Sequence, residues 1–194
     1  RITYGAAGTL SLLAGRDLSL TGLTGGSLEL GGELRGYSGG KGGTLNLQSS
    51  LVEIGEHGLQ PSALHLDSAF FDRGGFTTYS VSGLGSINGA TTKPGLVLLS
   101  DAHVKPTVLS WQVSEIPDQL DLMLSTFLKP QGLRSAVSLS FSALGATNNL
   151  NSQLLFLGEL RAEENSSVNA GPGGAIALRG DNVEMNGCLL YTSD

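Results

Sequence analysis

Catalysis or metal binding needs His, Cys, Asp, Glu or Ser side chains at spacings that let them converge. The three histidines, His57, His65 and His103, are scattered and follow no metal-ligand spacing. His65 lies between Leu64 and Leu66, a pattern that turns it outward from a strand. Cys188 is the single cysteine, which excludes an intrachain disulfide. Carboxylates pair at Asp118 with Asp121 and at Glu163 with Glu164. The first pair reads as the acidic start of a helix and the second as a solvated loop. Glycan cleavage needs clustered Asp residues, or Asp with Arg or Lys around calcium, and Asp67, Asp72 and Arg73 come nearest to that. No nucleophile elbow, phosphate loop or HExxH word occurs. No catalytic, metal-binding or cofactor-binding residue is assigned, no cofactor is expected, and the chain is expected not to be an enzyme.

Partner contact is the chemistry that remains. The densest aromatic cluster is Ala69-Phe70-Phe71-Asp72-Arg73-Gly74-Gly75-Phe76, where three Phe rings near an Arg can form a binding face. The favoured reading of the same cluster is a plug where a coil widens or an insertion docks. Candidate contact residues are Phe70, Phe71, Arg73, Phe76 and Trp111, the last just ahead of an expected helix that it can anchor.

Such residues need elements to carry them. The chain has 194 residues, enough for a substantial core. Charged residues are 14%, aromatics 6% and glycines number 29, a balance that points to repetitive β structure with many tight turns. The net charge of −6 argues against nucleic acid, which needs a basic face, and against capture by an anionic membrane surface. Apolar runs such as Leu96 to Leu99 and Leu154 to Leu157 are too short to span a bilayer.

Four similar words organise the first third: Gly8-Thr9-Leu10-Ser11-Leu12, Gly26-Ser27-Leu28-Glu29-Leu30, Gly43-Thr44-Leu45-Asn46-Leu47 and Ser62-Ala63-Leu64-His65-Leu66. Their starts at 8, 26, 43 and 62 lie 18, 17 and 19 residues apart. Each carries Leu-x-Leu, the alternation of a half-buried strand. Several are echoed within one turn: Leu10 and Leu12 at Leu18 and Leu20, Leu45 and Leu47 at Val52 and Ile54, and Ile176 and Leu178 at Val183 and Met185. A strand pair in so few residues leaves no room for a crossover helix. It predicts a parallel β-helix (solenoid), with 17–19 residues per coil and inward Leu, Val and Ile stacked into columns. Ser11, Ser19, Glu29, Asn46 and Glu53 occupy outward positions and are expected to face water. A β-sandwich and calcium-binding Gly-rich repeats compete with this fold. The first usually has more aromatics, and Gly39-Gly40-Lys41-Gly42-Gly43 lacks the Asp that would ligate calcium.

The pattern divides the chain. Coils are expected over 1–68. An irregular insertion packed on the solenoid follows over 69–160, coils resume over 161–187, and 188–194 reads as a non-native tail. Within the insertion Phe76 to Val81 and Ala136 to Phe141 alternate as strands. Ser114 to Phe127 reads as a short helix, with Ser114 capping, Pro117 in its first turn, and Leu120, Met123, Leu124 and Phe127 on one face. Arg1 enters in mid-pattern and no signal peptide is visible, so the chain is expected to be an internal fragment.

Ala14-Gly15-Arg16-Asp17-Leu18-Ser19-Leu20 and the Gly-Thr-Leu-x-Leu words resemble the coil repeats of filamentous-haemagglutinin-type large exoproteins. The stretch from Phe70 to Gly83, the word Leu133-Arg134-Ser135-Ala136-Val137-Ser138-Leu139-Ser140, and Gly171-Pro172-Gly173-Gly174-Ala175-Ile176 resemble the same proteins. The resemblance touches most of 8–187. It implies a right-handed β-helical passenger exported by an outer-membrane transporter in two-partner secretion, through a domain outside this chain. It implies an adhesive or structural role at the surface of a Gram-negative bacterium, or in its surroundings, with host or bacterial surface glycans or proteins as partners. A scaffold segment of a contact-dependent toxin-delivery exoprotein is the alternative, and a carbohydrate-active β-helix enzyme is a further one.

Overall fold

The computed structural model describes residues 4–15, 26–88, 91–115, 122–147 and 154–190. Among them the chain is all-β, with one short 3-10 turn at Ser68–Asp72. Its sheets are mostly parallel, an arrangement compatible with a β-solenoid.

The first sheet stacks Thr9–Leu13, Thr44–Ser49, Thr78–Gly83, Ser138–Ala143 and Ala175–Arg179, in chain order and all parallel. Its register aligns like with like. Leu10, Leu45, Tyr79, Leu139 and Ile176 form one inward column, and Leu12, Leu47, Val81, Phe141 and Leu178 form the next. The outward columns are polar, as Ser11, Asn46, Ser80 and Ser140 illustrate. Asn46 Nδ2 donates to Ser11 Oγ at 2.9 Å, and the hydroxyls of Ser82 and Ser142 meet at 2.7 Å. Alternation thus gives each strand a dry side and a wet side, and stacking extends both along the sheet.

The second sheet runs Asn182–Met185, Glu159–Ala162, Leu96–Leu98, Val52–Ile54, Leu64–Leu66, again all parallel. A third sheet stacks His103–Val104, Ser167–Asn169 and Cys188–Leu190. One core cluster joins all three, including Leu45, Leu96, Val104, Phe141, Leu160 and Val168. Two rings of the aromatic cluster, Phe71 and Phe76, lie inside it, and Phe70 packs against it. Phe71 packs edge-on against Tyr79 at 5.2 Å and Phe141 at 5.9 Å, and Tyr79 donates its hydroxyl to the Phe71 carbonyl at 2.9 Å. Burial pushes the Tyr79 phenol well above its ordinary value.

The turn of chain is longer than the repeat words predict. First-sheet neighbours lie 35 residues apart (Thr9 to Thr44), then 34 (Thr44 to Thr78), 60 (Thr78 to Ser138) and 37 (Ser138 to Ala175). The most compact turn takes 23 residues from Leu160 to Val183 and 21 from Ser167 to Cys188. The words at 8 and 43 sit on one another in the first sheet, while the word at 62 falls in the second. The word at 26 forms no strand, although Leu28 and Leu30 still pack on the core. The repeat therefore counts parts of a turn, not whole turns.

Hairpins lengthen the stretches from Thr78 to Ser138 and from Ser138 to Ala175. Antiparallel hairpins at 86–93 and 146–156 leave the same corner in consecutive turns, between first-sheet and second-sheet strands. The legs touch at their base. A Cβ on Gly83 would lie 1.7 Å from the Gly95 carbonyl oxygen, and one on Gly158 2.2 Å from that of Ala143, so a side chain at either position would drive the legs apart.

The structure differs from the helical expectation, and it places strands in two other spans. The span 69–160 is not an insertion beside the stack: Thr78–Gly83 and Ser138–Ala143 are interior strands of the first sheet. The helix expected over 114–127 is not found among the described residues of that span. Leu109–Glu115 and Leu122–Leu128 form an antiparallel hairpin instead, with Trp111 opposite Thr126. A short apolar run fits both periods, and a neighbouring strand that offers hydrogen bonds decides between them. Pro117, Asp118, Leu120 and Asp121 lie outside the described residues. Cys188–Leu190, expected in a non-native tail, pairs in register with Ser167–Asn169. The echo at Leu18 and Leu20, Ser19, most of the 14–20 word and residues 191–194 also fall outside the described residues.

One outward residue departs from the pattern. Glu53, expected to face water, is only 2% exposed. After Val52–Ile54 the chain crosses over and lays Leu64–Leu66 along the strand's free edge, and the crossover folds over Glu53. The carboxylate accepts the Leu59 and Gln60 amide hydrogens at 2.7 and 3.1 Å and the Gln60 side-chain amide at 3.2 Å.

Candidate functional site

The five candidate contact residues separate. Phe71 and Phe76 are 1% and 2% exposed, so neither offers a free face to a partner. Both serve the core, where Phe71 meets Tyr79 and Phe141 and Phe76 meets Tyr79. Phe70, half-buried, and Arg73, exposed, line a cavity of about 220 Å³ floored by Leu34, Leu45 and Phe76. Arg73 is held there by Asp67 at 2.6 Å. The neighbouring Asp72 turns elsewhere and accepts the Thr107 amide hydrogen at 2.7 Å. The acidic-basic trio of the sequence therefore does not converge on one point.

Trp111 leads to a different surface. It lines an open cleft of about 580 Å³ with Glu33, Arg35, Tyr37, Ser125 and Thr126. Two elements build the cleft. The first is the extended segment 33–38, whose exposure alternates residue by residue. Leu34 packs on the core, and buried Gly36 lies against the Phe76 ring, where a Cβ would stand 2.3 Å from a ring carbon. Only a glycine lets the segment settle so close, and this leaves Glu33, Arg35 and Tyr37 on the other side. The second element is hairpin 109–128, docked through the Trp111 amide hydrogen on the Ser38 carbonyl at 3.0 Å. Lys129 Nζ reaches the Gly39 and Gly40 carbonyls at 3.3 and 3.4 Å and clamps its outgoing leg.

The docked elements hold an aromatic platform. Tyr37 and Trp111 stack with ring centres 5.7 Å apart and planes 25° from parallel. The Tyr37 hydroxyl accepts the Gly74 amide hydrogen at 3.3 Å, which fixes its far end. Beside the platform Arg35 donates to Glu33 at 2.7 Å, and that hydrogen bond holds the Glu33 carboxyl below its ordinary value. Thr126 and Ser125 add hydroxyls from the facing strand.

The chain matches no protein-family model, no curated protein and no solved structure. Function is therefore argued from the surface itself. The cleft pairs no nucleophile with a base, and its one carboxylate is engaged by Arg35. Among the described residues no group of three or more His, Cys, Asp or Glu is placed to hold a metal ion, and no helix is long and apolar enough to cross a membrane. Fixed aromatic faces beside paired charges and hydroxyls suit a ligand with apolar ring faces and polar edges.

Sequence reasoning found Trp111 but missed Glu33, Arg35 and Tyr37. Their signal is the alternation Glu-x-Arg-x-Tyr, which sets all three on one side of an extended segment. Ser125 and Thr126 were hidden by the helical reading of their segment.

Proposed function

We propose that this chain is a structural and adhesive segment of a secreted bacterial surface protein of filamentous-haemagglutinin type. Its backbone winds as a right-handed parallel β-helix, and it contacts surface saccharides through the Tyr37–Trp111 cleft. The observation that carries this reading is the pair of five-stranded parallel sheets, whose columns repeat one side-chain character from turn to turn. Such stacking supplies length and rigidity without a catalytic centre. The cleft supports the adhesive part, because saccharides present hydroxyl edges and apolar ring faces together. Export across the outer membrane of a Gram-negative bacterium by a partner transporter belongs to the same proposal.

Glycan-array or cell-surface binding of the chain tests it. Trp111→Ala is expected to lower saccharide binding about tenfold or more, in line with the loss of an aromatic anchor. Arg35→Gln, at a residue 65% exposed, is expected to weaken binding less and to leave the thermal unfolding midpoint unchanged. Binding by the parent chain that is indifferent to both substitutions would reduce this stretch to a spacer.

A further inference from the structure

A second pocket, independent of the saccharide cleft, lies at the root of hairpin 109–128. Lys105 and Thr107 come from the leg entering the hairpin, Gln131, Arg134 and Ser135 from the leg leaving it, and Gly171 from a corner of the next turn. Two cations line it and no carboxylate does. That is notable in a chain with 17 acidic and 11 basic residues. The ion pairs among the described residues engage Arg35, His57, Arg73 and Arg161, and neither Lys105 nor Arg134. Arg134 is nevertheless held in place. Its Nε donates to the Lys129 carbonyl at 2.9 Å, which leaves the two terminal amino groups for another acceptor. The walls are firm as well. The Thr107 amide hydrogen is bound by Asp72, the Leu133 amide by the Pro130 carbonyl at 3.0 Å, and the Gly171 amide by Asn169 Oδ1 at 2.8 Å. Asp72 borders this wall and spends one of its oxygens on Thr107.

We propose that this pocket is an oxyanion site, taking a sulfate-, phosphate- or carboxylate-type group of a small ligand. A guanidinium fork supplies two parallel donors, an ammonium adds a point charge, and the hydroxyls of Thr107 and Ser135 with the Gln131 amide can complete the shell. The volume of about 170 Å³ suits that ligand. At roughly 30 Å³ per water it holds about five to six waters, room for one oxyanion group and little more.

Titration of the whole chain with sodium phosphate, sulfate or acetate, at ionic strength fixed with chloride, tests the proposal. Backbone amide shifts and the thermal unfolding midpoint are the readouts. The expected result is saturable binding of at least one oxyanion, with shifts centred on Thr107, Gln131, Ser135 and Gly171. The preferred anion identifies whether a tetrahedral or a planar group is the occupant. Lys105→Gln combined with Arg134→Gln is expected to weaken binding about a hundredfold, about tenfold for each charged contact. Lys41→Gln combined with Arg179→Gln removes the same charge from exposed positions elsewhere and is expected to leave the affinity within about twofold. Responses that never saturate, or that both double variants weaken equally, would overturn the site in favour of general charge screening.

Discussion

Phe141→Ala is expected to cost about 3–5 kcal/mol of folding stability, the range for truncating a fully buried aromatic. Phe141 is 0% exposed and sits in an interior strand, between Val81 in one turn and Leu178 in the next. Its ring also meets Phe71, which belongs to the short turn between the second and third strands of the first sheet. The lost ring therefore opens a cavity that two turns and a connecting segment share. Neither turn can collapse into it, because strand spacing along the sheet is fixed near ~4.8 Å by backbone hydrogen bonds. Urea denaturation followed by far-ultraviolet circular dichroism measures the loss. A change below about 1 kcal/mol would show that Phe141 is not enclosed in this way.

The second large effect is expected at Glu53. Glu53→Ala should destabilise the crossover over 55–63 by about 2–4 kcal/mol, because two backbone donors and a side-chain amide lose their acceptor. Glu53→Gln keeps one acceptor oxygen and is expected to lose less. Hydrogen exchange separates local opening from global unfolding. The Leu59 and Gln60 amides should lose protection in Glu53→Ala before the amides of the first sheet do. Unchanged protection at both positions would mean that the carboxylate does not hold the crossover.

Glu53 also shows where sequence pattern stops informing. Its outward position in Val52–Ile54 is legible from alternation, and the structure agrees with the parity. Its burial depends on a crossover that returns the chain to the strand's other edge, and no local signal marks that step. The same limit applies to the stack. Thr78–Gly83 and Ser138–Ala143 are legible as strands from Tyr79 with Val81 and Leu139 with Phe141. Their adjacency is not, because 60 residues and two hairpins separate Thr78 from Ser138. Edge strands were the least legible. Cys188–Leu190 is exposed at all three positions, so a burial pattern has nothing to act on there. The cleft was half visible for a similar reason. Trp111 stands out by its type, whereas Glu33, Arg35 and Tyr37 matter only because Gly36 lets their segment lie flat on Phe76.

Register-dependent crosslinking tests the stacked parallel sheet most directly. Ser82 and Ser142 face one another across the interior strand pair, their hydroxyls 2.7 Å apart. In a background carrying C188S, the pair S82C and S142C is expected to form a disulfide readily under mild oxidation, since facing Cα atoms lie near ~5 Å. The pair S82C and S140C is displaced by two residues along the strand, about 8 Å between Cα atoms, beyond the ~7 Å limit for an unstrained bridge. It should stay reduced. Efficient linking of the displaced pair with none in the facing pair would contradict the parallel register on which the proposed solenoid and the proposed adhesive role rest.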